Sequence, residues 1–253
     1  MEKPMSTNIE WCDETWNPVT GCTPISEGCQ NCYAARMAQR LAGRYGYPED
    51  DPFRPGTFHD DKLDWPLSLP KGKRKRIFVS SMGDLFHDSV THEHIVRVVD
   101  TISLCKDHTF IMLTKRPGNA LKFCKSLSIY FPENIWFGVT AENQHFADKR
   151  IPILLQIPAA VRFVSIEPML GPVDITRYLQ GRDNKNFWVI AGGETGPNAR
   201  PMQTSWARSL RDQCLMTRTP FFFKKHGSYW YGRNDKSGNH KLDGHTWEQF
   251  PEG

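Results

Sequence analysis

From residue 77 onward the chain alternates short apolar runs with longer mixed stretches, and this rhythm limits the folds open to it. Ile77-Phe78-Val79-Ser80 reads as a buried strand and 95–104 as a helix. Phe110-Ile111-Met112-Leu113 is the next strand, then a helix over 120–127, the strand Ile135-Trp136-Phe137-Gly138-Val139 and a helix over 147–155. Val161-Arg162-Phe163-Val164, Phe187-Trp188-Val189-Ile190, a helix over 205–216 and Phe221-Phe222-Phe223 complete the series. Runs that are apolar throughout belong to strands covered on both faces, the pattern of parallel sheets crossed over by helices. With about six or seven such units, a complete or partial parallel βα-barrel (TIM-like) with an N-terminal cysteine loop is the economical α/β architecture. A doubly wound open sheet is the runner-up, and the lack of a Gly-rich turn after the first strand counts against a dinucleotide site. The expected organisation is one domain over 1–253, with a surface excursion at 47–75 and an irregular extension from about 227.

The first strand is read at 7–12. Each later strand then ends in a polar or glycine-rich group, and in a βα-barrel the C-terminal strand ends carry the chemistry. These groups are Ser80-Ser81-Met82-Gly83-Asp84, Thr114-Lys115-Arg116-Pro117, Thr140-Ala141-Glu142-Asn143, Ser165-Ile166-Glu167-Pro168, Gly192-Gly193-Glu194-Thr195 and Lys224-Lys225-His226-Gly227. Any one is an ordinary turn; together they form a polar rim. Lys115, Glu142, Glu167 and Glu194 are expected to converge on a shared pocket beside the cysteine loop.

That loop is Cys22-Thr-Pro-Ile-Ser-Glu-Gly-Cys29-Gln-Asn-Cys32. Three close thiolates are soft ligands that select zinc or an iron–sulfur cluster. A structural zinc site wants four ligands, so Cys12 is either the fourth or unconnected. Asn31 reads as the cap of a helix in which Tyr33, Met37 and Leu41 recur at four-residue spacing. This puts Cys32 at a helix mouth, where backbone amides favour anionic sulfur.

The remaining features bound the answer from outside. Lys and Arg number 32 against 28 Asp and Glu, a net charge of +4, too small to prove or exclude a nucleic-acid partner. No signal segment and no apolar run long enough to span a bilayer is seen, so no membrane partner and a cytoplasmic location are expected. Seven cysteines, an odd number, fit a reducing compartment. Cys105, Cys124 and Cys214 fall in helical stretches as buried small hydrophobes. The cluster His87, His92 and His94 is read as surface or capping residues, and the basic run 71–76 as a solvated loop. No G-x-S-x-G, H-E-x-x-H or Walker loop supports a hydrolase or nucleoside triphosphatase.

The stretch Asn17-Pro18…Gly21-Cys22…Gly28-Cys29-Gln30-Asn31-Cys32-Tyr33-Ala34…Arg36 resembles the cluster loop of radical SAM enzymes, in the branch related to spore photoproduct lyase. Ser81-Met82-Gly83-Asp84-Leu85-Phe86 and Leu113-Thr114-Lys115-Arg116-Pro117 resemble the second and third strand ends of that branch. The whole chain, including Ser165-Ile166-Glu167-Pro168, Gly192-Gly193-Glu194 and 242–247, is similar to an uncharacterised phage-associated family. The resemblance implies a [4Fe–4S] cluster on Cys22, Cys29 and Cys32, S-adenosylmethionine on the open iron, an external electron donor, and reductive cleavage to a 5′-deoxyadenosyl radical. It further suggests a base or nucleotide in a nucleic acid as substrate, with a peptide or small molecule left open. Two departures stand out: six residues separate the first two cysteines where the family has three, and Gly192-Gly193-Glu194 follows a much later strand than the family's G-G-E. By position, Ser80, Ser81 and Asp84 are the candidates for the methionine end of S-adenosylmethionine and Lys115 for its carboxylate, with Glu142, Glu167 and Glu194 as further cofactor-binding candidates. The competing reading is a non-catalytic, zinc-stabilised nucleic-acid-binding protein using Cys12, Cys22, Cys29 and Cys32, with Tyr229, Trp230 and Tyr231 stacking on bases.

Overall fold

The continuous apolar runs form a single parallel sheet. In the computed structural model, which describes residues 7, 9–127, 131–181, 183–231 and 239–252, its strands are β1 (Glu14–Trp16), β4 (Arg76–Val79), β5 (Thr109–Thr114), β6 (Ile135–Thr140), β7 (Val161–Ile166), β8 (Phe187–Gly192) and β9 (Phe221–Lys225), in the order β1-β4-β5-β6-β7-β8-β9. β2 (Val19–Thr20) and β3 (Thr57–Phe58) form a separate antiparallel pair. Pairing is parallel for β1/β4, β4/β5, β7/β8 and β8/β9. The order never reverses, so the switch point that defines a doubly wound sheet is missing. Sequential order with β1 and β9 as edges is that of a partial βα-barrel.

The helices are α1 (Tyr33–Arg40), α2 (Asp60–Leu63), α3 (His92–Leu104), α4 (Pro117–Leu127), α5 (Gln144–Leu154), α6 (Thr176–Leu179), α7 (Thr204–Thr217) and α8 (Ser228–Tyr231). Side-chain caps start two of them: Thr91 accepts from the His94 amide (3.2 Å) and Asn143 from that of Phe146 (3.1 Å). Every residue of β6 and β8 is buried, as strands covered on both faces must be.

Two compact units interleave along the chain. One comprises 1–25, 32–137 and 157–160; its aromatic core joins Phe86, Phe123, Phe131 and Phe137 at centroid separations of 5.3–6.5 Å. The other comprises 26–31, 138–156 and 161–253, built around Trp188 with Phe163, Phe222 and Phe250. In the second unit Gly138 lets the Phe163 ring lie on the strand, since a Cβ there would come within 2.5 Å of it. Residues 247–249 run antiparallel along β9: Phe223 N donates to Trp247 O (2.8 Å) and Gln249 N to Phe221 O (3.1 Å).

Five expectations are corrected. The first strand is Glu14–Trp16, while Trp11 and Cys12 are buried in the turn before it; Asn8, part of the expected strand, lies outside the described residues. The excursion at 47–75 holds β3, α2 and a 3-10 turn at Trp65–Ser68, anchored by buried Tyr47, His59 and Leu63. Cys32, not Asn31, precedes α1, and its buried face is Ala34 and Ala38 with Met37 and Leu41 beside them, leaving Tyr33 exposed. His87 is buried rather than on the surface. The expected irregular extension from about 227 includes α8, and its residues 232–238 lie outside the described set.

Candidate functional site

The first unit holds Cys22, Cys32 and the ends of β4 and β5. Asn17, just after β1, ties these elements: its Oδ1 accepts from Ser81 Oγ (3.1 Å) and from Met82 N (2.9 Å). Gly21 then bridges to Gly83, with Gly21 N donating to Met82 O (3.0 Å). Gly21 sits at φ +82°, and a Cβ on it would fall 1.8 Å from Arg54 O. Only glycine accepts both that backbone conformation and that approach. The cysteine loop therefore leaves from the end of β4, in a position fixed by backbone.

Asp84 organises the same strand ends. Its carboxylate accepts from Phe86 N (3.0 Å), Thr114 Oγ1 (2.8 Å), Lys115 N (3.2 Å) and Arg116 Nη1 (3.3 Å). Arg116, with 7% of its side chain exposed, reaches from there to the loop: Nη1 lies 3.2 Å from Cys22 Sγ, and Nη2 donates to Thr23 O (3.0 Å) and Thr23 Oγ1 (2.9 Å). Burial opposes the guanidinium charge, yet Cys22 and Asp84 outweigh it and hold the Arg116 pKa above its ordinary value. His87 Nε2 meets Thr23 Oγ1 at 2.8 Å; burial, then Arg116, push its pKa down and favour the neutral ring. Ser80 stands at φ +56°, buried, and its hydroxyl has no hydrogen-bond partner among the described residues. A buried orphan hydroxyl is costly unless a ligand or water completes it.

The second unit holds Cys29 and the middle of the loop. Fully buried Glu142, past the end of β6, receives the Ser26 hydroxyl on Oε1 and Arg150 Nη1 on Oε2 (2.8 Å). Gly28 packs flat on that carboxylate, because a Cβ on it would come within 2.4 Å of Glu142 Cγ. Glu194, beyond β8, is forked by Arg200 and also accepts from Asn31 Nδ2 (2.9 Å). Burial pushes the Glu194 pKa up, but hydrogen bonds from Arg200 and Asn31 prevail and leave it below the usual value. Glu167 pairs with Lys224 (2.7 Å). Glu142, Glu167 and Glu194 are thus each paired with a cation.

The seven thiols divide by exposure. Cys12, Cys105, Cys124 and Cys214 are buried, whereas Cys22, Cys29 and Cys32 are half-buried, and none of the seven is in a disulfide. Burial drives the Cys124 thiol up to about 11 and that of Cys214 higher still, so both are inert as thiolates. The loop thiols instead have polar company: Arg116 at Cys22, and the Ser26 hydroxyl 3.5 Å from Cys29 Sγ. Among the described residues no three His, Cys, Asp or Glu side chains are grouped to hold one metal ion. Three thiolates are a soft donor set of the kind that zinc or an iron–sulfur cluster takes.

Arg150 and Arg200, the partners of Glu142 and Glu194, were not among the sequence candidates. Arg116 stood in the rim group 114–117 without a role of its own, and His87 in a cluster read as surface or capping residues.

Comparison with known proteins bears on the whole chain. The family described as "Protein of unknown function (DUF5131)" matches residues 6–251. The chain belongs to that family. No curated protein matches it. Among solved structures, a spore photoproduct lyase mutant superposes with a TM-score of 0.53 at 14% identity, over 76% of this chain and 59% of that one. Spore photoproduct lyase complexed with dinucleoside spore photoproduct gives 0.53 at 12%, over 85% and 64%. A further mutant, with bound AdoMet and dinucleoside spore photoproduct, gives the same TM-score, identity and coverage. The protein thus shares its fold with spore photoproduct lyase and spans about six tenths of that enzyme's length. Among the described residues no helix is long and apolar enough to cross a membrane.

Proposed function

We propose that this protein is a radical SAM-type iron–sulfur enzyme acting on a nucleic acid or nucleotide. The observation that carries the reading is the division of the thiols: the three that are half-buried are the three of the loop motif. Cys22, Cys29 and Cys32 would hold a [4Fe–4S] cluster, and Ser80, Ser81 and Lys115 would contact S-adenosylmethionine. Bound there, cluster and S-adenosylmethionine would supply one-electron cleavage of a sulfonium to a 5′-deoxyadenosyl radical, fed by an external donor. The chain's own part is to hold and to shield. Asp84 fixes the β4 and β5 ends against each other and keeps Arg116 turned toward Cys22. Glu142 and Glu194 secure the residues around Cys29, so the longer cysteine spacing does not leave the loop slack. The Ser80 hydroxyl awaits a polar partner from a ligand. The fold shared with a lyase solved with bound AdoMet and a dinucleoside photoproduct supports both the cofactor and the substrate class.

Anaerobic reconstitution of the purified protein tests the reading. About four irons and four sulfides per chain are expected, lost in Cys29→Ala, with 5′-deoxyadenosine formed on reduction with dithionite. Stoichiometric zinc without sulfide, released equally by Cys12→Ser, would establish the zinc-stabilised alternative.

A further inference from the structure

Arg116 is bound too specifically for a generic surface arginine. Its side chain is almost completely buried, and its guanidinium meets the Asp84 and Asp88 carboxylates on one side and the cysteine loop on the other. Nη1 faces the Asp84 carboxylate and Cys22 Sγ; Nη2 takes both oxygens of Thr23. Asp84 cannot yield, because Thr114 Oγ1 and the amides of Phe86 and Lys115 hold it. The guanidinium is therefore locked with one N–H on sulfur. A neutral thiol is a weak acceptor, whereas the thiolate of a metal-ligating cysteine makes a charge-assisted bond. Hydrogen bonds to cluster sulfurs and net charge nearby are among the main settings of an iron–sulfur potential.

We propose that Arg116 is a positioning residue that fixes Cys22 and raises the reduction potential of the iron–sulfur group this cysteine helps to hold. The inference rests on the functional reading above and deepens it. A positive charge and an N–H on the Cys22 sulfur stabilise the more negative, reduced cluster relative to the oxidised one. Thr23, the first of the six residues between Cys22 and Cys29, is held by the same fork, so the device also fixes where the longer loop begins. Lysine would keep the charge but offers no planar fork to satisfy sulfur, carboxylate and carbonyl together.

The test is a potentiometric titration of reconstituted wild type, Arg116→Lys, Arg116→Gln and Thr23→Ala, followed by the electron paramagnetic resonance signal of the reduced cluster, on preparations matched for iron and sulfide. The expected order of midpoint potentials is wild type and Thr23→Ala highest and equal, Arg116→Lys lower, Arg116→Gln lowest. A merely structural clip would lower iron content and leave the potential of the clusters that form unchanged, so an Arg116→Gln potential equal to wild type overturns the proposal. If that variant does not fold, Arg116→Lys decides: below wild type supports, equal to wild type overturns. A wild type that takes up no iron and sulfide overturns the functional reading and this proposal with it. A cluster whose potential ignores Arg116 overturns this proposal alone.

Discussion

The two ends of the cysteine loop are held by opposite chemistry. In the first unit, Cys22 and Thr23 are met by a cation, Arg116, itself held by Asp84. In the second, Ser26 and Asn31 are met by anions, Glu142 and Glu194, each carrying its own arginine. The difference is instructive because a thiolate-held cluster is itself anionic. Positive charge is placed on the sulfur, while the negative groups that accept from the Ser26 and Asn31 side chains are paired with Arg150 and Arg200.

The largest expected effect breaks the anionic side. Glu142→Ala leaves Arg150, 3% exposed, without its carboxylate; stranding one member of a buried pair costs about 3–5 kcal/mol. Chemical denaturation should show that loss, and hydrogen exchange should rise at 26–29 while Cys22 and Thr23 stay protected. The next breaks the cationic side. Gly21→Ala forces a side chain into the left-handed region and against Arg54 O, costing of order 1–3 kcal/mol for the backbone alone. Exchange should then rise at 21–23 and spare 26–29. The smallest effect sharpens the contrast through pH. Because the folded-state pKa of Glu194 is lowered, its contribution is fully present above the unfolded value and fades as pH falls through the folded one. With Arg200 27% exposed, it is worth about 1 kcal/mol or less. Acid unfolding of Glu194→Gln should therefore lose part of the wild-type decline below about pH 4.5, the ordinary carboxylate value; an unchanged curve would remove Glu194 from the anchor.

What the sequence disclosed about fold and site follows from how local each signal is. Apolar runs announced β4 to β9, most completely in β6 and β8, where every residue is buried. Helices α3, α4 and α5 each begin three residues before the apolar periodicity does, at 92, 117 and 144. Thr91 and Asn143 cap the polar starts of α3 and α5. β7 and β8 likewise run on through Ser165-Ile166 and Ala191-Gly192. β1 was misplaced because buried Trp11 and Cys12 precede it while only Trp16 is buried within it. The thiol motif was local and legible. Its anchors were not: Arg150 and Arg200 meet carboxylates from a helix and a loop, pairings that no spacing encodes. Asn31 looked like a helix cap and is in fact a donor to Glu194, two uses of one amide that only tertiary placement distinguishes.

The strip at 247–249 along β9 has a consequence unrelated to catalysis. β9 is an edge of the sheet and begins with three consecutive phenylalanines. An uncovered apolar edge is a template on which a second chain can add its own strand. The strip occupies those backbone groups itself, and Trp188 Nε1 fastens it through Gln249 O (2.8 Å). The strip therefore covers that edge, and a chain shortened before Trp247 is expected to self-associate through β9 in a sedimentation measurement even with its cysteine loop intact.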